Sequence, residues 1–129
     1  PLQVAVMFAV PANGGYKVTP HLLKDGTAEN WREPIGMQPS TVKVLQDGLR
    51  QVITSGTAQS LKLPNLPPIS GKTGTAEAPP YENHAWFGAY LPTDNPELLV
   101  VAFAEHSGGG GGSVAAPMVK QILEQYYKD

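Results

Sequence analysis

The sequence predicts an α+β fold in which a contiguous antiparallel β-sheet, three strands of it in this chain and part of a larger sheet, is flanked by α-helices. Three observations predict it. Apolar residues recur at spacings of three and four in three separate stretches, which is the period of one buried helix face. Between the second and third of these lie three β-type runs set apart by proline-rich turns. The last of those runs, residues 97–105, is apolar almost throughout, as expected of a strand covered on both faces by helices.

Taken in order, Leu2, Val6 and Val10 with Ala5 and Ala9 mark a first helix, and Asn13-Gly14-Gly15 stops it because glycine can take the left-handed cap conformation. Residues 16–40 are rich in turn formers and predict an irregular segment, with short strands at residues 16–18 and near Leu22-Leu23. Ser40 is placed as the cap of a second helix carrying Val42, Leu45, Leu49, Val52 and Ile53 on one stripe and ending at Gly56. Leu63-Pro64-Asn65-Leu66-Pro67-Pro68 is too stiff for a helix and too short of donors for a central strand. After the first β-run, residues 84–91 and 97–105 read as a hairpin with a five-residue loop over residues 92–96. Residues 108–112 read as a flexible glycine connector, and Ser113 as the cap of a last helix with Val114, Met118, Ile122 and Tyr126 four apart.

Composition excludes several functions. At 129 residues the chain is long enough for one core, and a formal charge of -2 without a Lys/Arg cluster leaves no electrostatic footprint for nucleic acid or an anionic membrane surface. There is no cysteine, and His21, His84 and His106 are scattered without ligand spacing, so no metal site and no cofactor is expected. No run approaches the roughly 20 apolar residues of a membrane span. The chain opens at Pro1 directly onto a helix, and it is expected to be a segment of a longer polypeptide.

One stretch points to chemistry in preference to packing, Ile69-Ser70-Gly71-Lys72-Thr73-Gly74-Thr75-Ala76-Glu77. Prolines fence it on both sides, and inside it a cation, two hydroxyls and two glycines sit where a purely structural strand would carry branched and aromatic residues. A phosphate-loop reading of Gly71-Lys72-Thr73 fails, because Leu66 occupies the leading glycine position and prolines fall within the loop. Lys72-Thr73-Gly74 on a strand fits the third signature of serine acyltransferases that react with penicillin, alongside S-x-x-K and S-x-N. Lys72 would place positive charge in a cleft, Thr73 and Thr75 would offer hydroxyls to a substrate carboxylate, and Gly74 would let a peptide lie against the strand edge. The Thr75 N–H would serve as an oxyanion donor. Trp86, Phe87 and Tyr90 read as packing residues of the sheet, and His84 as locally satisfied.

The longer segments Ser70-Gly71-Lys72-Thr73-Gly74-Thr75-Ala76-Glu77-Ala78, His84-Ala85-Trp86-Phe87-Gly88 and Gly111-Gly112-Ser113-Val114-Ala115-Ala116-Pro117 closely resemble the C-terminal part of the transpeptidase domain of class B penicillin-binding proteins. Pro1-Leu2-Gln3 with Asn13-Gly14-Gly15, and Gly56-Thr57-Ala58, extend the likeness over nearly the whole chain, with residues 25–40 its weakest part. The Ala-Trp-Phe-Gly and Gly-Ser-Val-Ala-Ala-Pro contexts look most like the elongation-type members, usually called penicillin-binding protein 2. The resemblance implies a serine β-lactamase/transpeptidase-like fold, with residues 1–129 as the C-terminal segment of the domain. It also implies an active-site wall made of Lys72, Thr73, Gly74 and Thr75.

In the family the nucleophilic serine and the S-x-N motif precede the Lys-Thr-Gly strand, and both should lie before residue 1. Ser40-Thr41-Val42-Lys43 does match S-x-x-K, but a match this short arises readily by chance, and a helix start explains Ser40. The implied partners are a companion N-terminal fragment carrying S-x-x-K and S-x-N, peptidoglycan stem peptides, β-lactams and proteins of the elongation machinery. The implied location is the extracytoplasmic face of the bacterial cytoplasmic membrane, with the anchor outside this chain. Two alternatives share the motif: a β-lactamase or β-lactam sensor domain, and a non-catalytic interaction module of the same fold.

Overall fold

The computed structural model describes residues 1–23 and 31–128. In chain order these form α1 (Leu2–Ala12), β1 (Tyr16–Val18), β2 (Arg32–Pro34), α2 (Pro39–Thr54), β3 (Ser70–Ala78), β4 (Tyr81–Leu91), β5 (Leu98–Ala104) and α3 (Ala116–Tyr126). A short 3₁₀ turn at Gln59–Leu61 follows α2, and a wide π-type turn at Gly111–Ala115 leads into α3. The expected antiparallel sheet is present as β3–β4–β5, with β4 in the middle.

Alternation along β4 creates the two layers. Ala85, Phe87, Ala89 and Leu91 point into the main core, where they meet Ile53 of α2, Leu61, Ile69, and Val119 and Leu123 of α3. Phe87, Leu91, Ile53, Leu61, Ile69, Val119 and Leu123 are all fully buried, each large apolar side chain contributing about 1.5–3 kcal/mol of transfer free energy. The opposite face of the sheet receives α1, whose buried Phe8 ring lies where a side chain on Gly88 would be. Helix α1 ends as the sequence predicts, with Gly14 and Gly15 at φ 75° and 98° and the Gly15 N–H donating to Val10 O at 2.8 Å. Gln46 of α2 donates to Pro11 O at 2.8 Å and ties the two helices together.

Several expectations are corrected. The strand near Leu22-Leu23 does not form: Leu22 is fully exposed, and β1 pairs with Arg32–Pro34 instead. That register sets Lys17 opposite Glu33 as an ion pair at 3.2 Å and puts the Arg32 guanidinium 4.8 Å from the Tyr16 ring centre. The irregular segment expected over residues 16–40 lies partly outside the described residues. Ser40 is not the cap of α2: Gln38 is, and Pro39 takes the first helical position, for which its fixed φ suits it. Ser113 likewise sits inside the π-type turn, where its Oγ accepts the Gly110 N–H at 3.2 Å, and α3 proper begins at Ala116. Strand β5, expected to be covered on both faces, is mostly half-buried, while β4 is the buried strand. An apolar run shows that a strand needs cover, and among the described residues β5 lies at the sheet edge with α1 and α3 covering only part of it.

Tyr90 has a measurable consequence. Its hydroxyl is buried without a well-placed hydrogen-bond partner, and burial raises its pKa above the usual 10.0, an effect the nearby Ser70 hydroxyl partly offsets. The folded state therefore holds this proton more tightly than the unfolded chain, so the contribution to stability is complete below pH 10.0 and is lost as pH rises through the folded-state pKa. Denaturant titrations above that pH are expected to show the wild type losing stability faster than Tyr90→Phe. Parallel curves for the two would contradict this assignment.

Candidate functional site: the outer strand of the sheet

Strand β3 has β4 on one side and, among the described residues, no strand on the other. Its backbone is thus open along one edge, as a strand that accepts an extended peptide must be. The sequence keeps that edge slim. Gly74 faces Trp86, and a Cβ added to it would lie 3.3 Å from the Trp86 Cβ. Gly71 is buried under Phe87 and Gly88, where an added Cβ would approach the Gly88 carbonyl oxygen to 2.6 Å. These close approaches, together with the need for bare backbone, account for glycine in the middle of a strand.

The register separates the functional side chains by face. Lys72 is opposite Gly88, on the α1 side of the sheet; Thr73 is opposite Phe87 and Thr75 opposite Ala85, on the α3 side. The long lysine bridges this division. Its Nζ turns around the open edge and donates to Thr73 O at 2.8 Å, reaching to 3.4 Å from Thr73 Oγ1. Behind Thr73 stands Thr57, from the corner after α2, with the two hydroxyl oxygens 2.8 Å apart. Behind Thr75 stands the π-type turn, whose Gly111 N–H points at Thr75 Oγ1 at 3.4 Å.

On the α1 side, Lys72, Gly74 and Trp86 join Val4, Met7 and Phe8 around an open concavity of about 320 Å³. A second concavity of about 370 Å³ adjoins it at Lys72, almost wholly apolar, between α1, Ile35, Met37 and the Leu45–Leu49 side of α2. Lys72 is thus a single cation set between a polar strand edge and apolar surface. A ligand that would complement such a setting is an anion attached to an apolar or peptide-like body.

Lys72, Thr73, Gly74 and Thr75 therefore line one edge, as the sequence predicts. The Ser40-x-x-Lys43 match joins nothing there. Lys43 pairs with Asp47 one turn along α2, which raises its pKa by hydrogen bonding and charge and holds it as an ammonium, and it lines a separate polar cleft with Arg50 and Asp94. His84 is satisfied locally, its Nδ1 accepting the His106 N–H at 2.9 Å. Phe87 and Tyr90 are fully buried packing residues, while Trp86 stacks on Phe103 at 4.1 Å and also lines the concavity. Among the described residues no group of three or more His, Cys, Asp or Glu could hold a metal ion.

The glycine run is not the flexible connector the sequence predicts. A Cβ on Gly111 would meet the Trp86 carbonyl oxygen, Gly74 N at 2.6 Å and Gly74 O at 2.8 Å, and one on Gly112 would lie 2.9 Å from Thr57 O. These glycines let the π-type turn seat directly on the backbone of β3 and β4. Thr57 and the glycines carry no sequence signal of such roles, because contacts across 16 and 36 positions leave no local period.

Known proteins resemble this chain over nearly its whole length. A relative from Haemophilus influenzae, the peptidoglycan D,D-transpeptidase MrdA, is 31% identical over 98% of this chain, which spans 23% of that relative's length. The crystal structure of Pseudomonas aeruginosa PBP2 in complex with WCK 5153 matches the whole chain with a TM-score of 0.85 at 31% identity, over 30% of its own length. Helicobacter pylori PBP2, solved in complex with MreC, matches 98% of the chain at 27% identity with a TM-score of 0.78, over 25% of its length. The penicillin binding protein transpeptidase domain family matches residues 1–124, and the chain belongs to that family.

Proposed function

We propose that this chain forms the carboxylate-binding and oxyanion wall of a peptidoglycan D,D-transpeptidase of the elongation type. The observation that carries the reading is the open edge of β3, where Lys72, Thr73, Gly74 and Thr75 stand together beside an apolar concavity. A stem peptide would lie along that edge as an added strand, with Gly74 giving its backbone room. The Lys72 ammonium and the threonine hydroxyls would bind the terminal carboxylate by charge-assisted hydrogen bonds, and the Thr75 N–H would stabilise the oxyanion.

The nucleophile is a serine supplied outside this chain, on the S-x-x-K fragment that also brings S-x-N. Its oxygen forms an ester with the penultimate D-Ala carbonyl as the bond to the terminal D-Ala breaks, and the departing amine takes a proton. An amine of a second stem peptide then attacks the ester, forms the cross-link and returns a proton to the serine. β-Lactams would acylate the same serine as substrate mimics. The scheme calls for no cofactor. No helix of the described residues is long and apolar enough to cross a membrane. In this reading the domain would be held at the outer face of the cytoplasmic membrane by an anchor outside this chain. The H. pylori complex with MreC supports an elongation-machinery partner.

Fluorescent penicillin tests the reading. The intact protein is expected to be labelled covalently and residues 1–129 alone to remain unlabelled. An unlabelled intact protein would refute the transpeptidase reading, and labelling of residues 1–129 alone would put the nucleophile in this chain.

A further inference from the structure

Thr57 lies outside the motif, at the corner after α2, and its place is firmly held. The preceding Gly56 N–H donates to Gln51 O at 2.9 Å, and the following Ala58 is fully buried with its N–H on Val52 O at 3.1 Å. Gly112 closes on the Thr57 carbonyl from the other side. From this corner the Thr57 hydroxyl reaches Thr73 Oγ1 at 2.8 Å, on the same oxygen that Lys72 Nζ approaches at 3.4 Å.

A hydroxyl has one proton to give and two positions at which to accept. Lys72 can only donate to Thr73 Oγ1. Either hydroxyl can donate across the 2.8 Å contact; with Thr57 as the donor, both accepting positions of Thr73 are filled and its single proton is left for a third partner. A carboxylate can only accept, so it requires that orientation. We propose that Thr57 is a positioning residue that turns the Thr73 hydroxyl into a fixed donor for the carboxylate of a bound stem peptide or β-lactam. The inference rests on the reading of this strand as a carboxylate-binding wall. It adds a residue that the motif does not contain and assigns it the task of selecting an anionic ligand.

The test uses the intact protein with Thr57→Val and Thr57→Ser, and measures acylation rates with a fluorescent penicillin and with the methyl ester of the same penicillin. Valine keeps the branched shape without a donor; serine keeps the donor. Thr57→Val is expected to slow acylation by the carboxylate form about tenfold or more, the scale of one hydrogen bond to a charged group. Thr57→Ser should stay close to the wild type, and the ester should be slow with every protein and insensitive to the substitution. With the thermal unfolding of Thr57→Val checked against the wild type, wild-type rates in Thr57→Val, an equal loss in Thr57→Ser, or an equal loss with the ester would each overturn the proposal. Absence of any labelling of the wild-type protein would overturn the transpeptidase reading together with it, whereas labelling that ignores Thr57 would remove only this inference.

Discussion

Acylation of the intact protein by a penicillin is expected to slow by about 100- to 1,000-fold when Lys72 is replaced by methionine, the range found when one preorganised electrostatic group is taken from a site of this kind. The expectation follows from how alone this charge is. Lys72 is exposed, its Nζ rests on Thr73 O at 2.8 Å, and among the described residues it is the only cation lining either concavity beside β3. Methionine preserves the length and much of the packing against apolar surface, so the loss reports charge and donor count. An exposed side chain also contributes little to stability, and the variant should unfold near the wild-type temperature. Stopped-flow or gel-based labelling gives the rate, and a loss smaller than about threefold would contradict the placement of Lys72 against the carboxylate of the ligand.

The second large effect is structural. Gly111→Ala is expected to destabilise the intact protein by about 3 kcal/mol, at the upper end for overpacking, because the three atoms nearest its methyl group all belong to backbone. A flexible side chain could move aside; the Trp86 carbonyl and the Gly74 peptide cannot without bending β3 or β4. Relief of that overlap pushes on Gly74 itself, so labelling by penicillin should fall along with stability. Gly48 provides the contrast: an added methyl there meets nothing within 4 Å, and alanine should leave stability unchanged or raise it by up to about 1 kcal/mol. Denaturant unfolding of both variants measures the difference. Equal stabilities would mean that the π-type turn does not press on the strand as described.

The pattern of success in the sequence reading has a physical basis. Helices α1, α2 and α3 were legible because each writes its period into consecutive residues, as from Val42 to Ile53, and strands β4 and β5 because short apolar runs such as Leu98 to Ala104 are bounded by turn formers. The edge position of Lys72-Thr73-Gly74-Thr75 was legible for a different reason: glycines and hydroxyls are poor material for a strand meant only to pack. Strand β2 was not legible, since Arg32, Glu33 and Pro34 are all exposed and are held through pairing with β1. Nor was the tight seating of Gly111, because a glycine run reads the same whether it swings freely or is pressed against a carbonyl. The corner at Thr57 was visible only as Gly56-Thr57-Ala58, whose meaning depends on Thr73, a residue on another element.

The two outer strands of the sheet differ in a way that bears on solubility. An unpaired edge is a template for strand-to-strand association, and proteins blunt such edges with lysine, charge and irregular backbone. Strand β3 meets that need: exposed Lys72, Thr75 and Glu77 and its interior glycine make its edge a poor partner for another copy of the chain, whatever else they do. Strand β5 carries Leu98, Leu99, Val100, Val101 and Phe103 without one charge between Leu98 and Ala104. The guarded edge can remain in water and wait for a ligand, while the unguarded edge is the one through which uncovered copies of this chain would stick to each other.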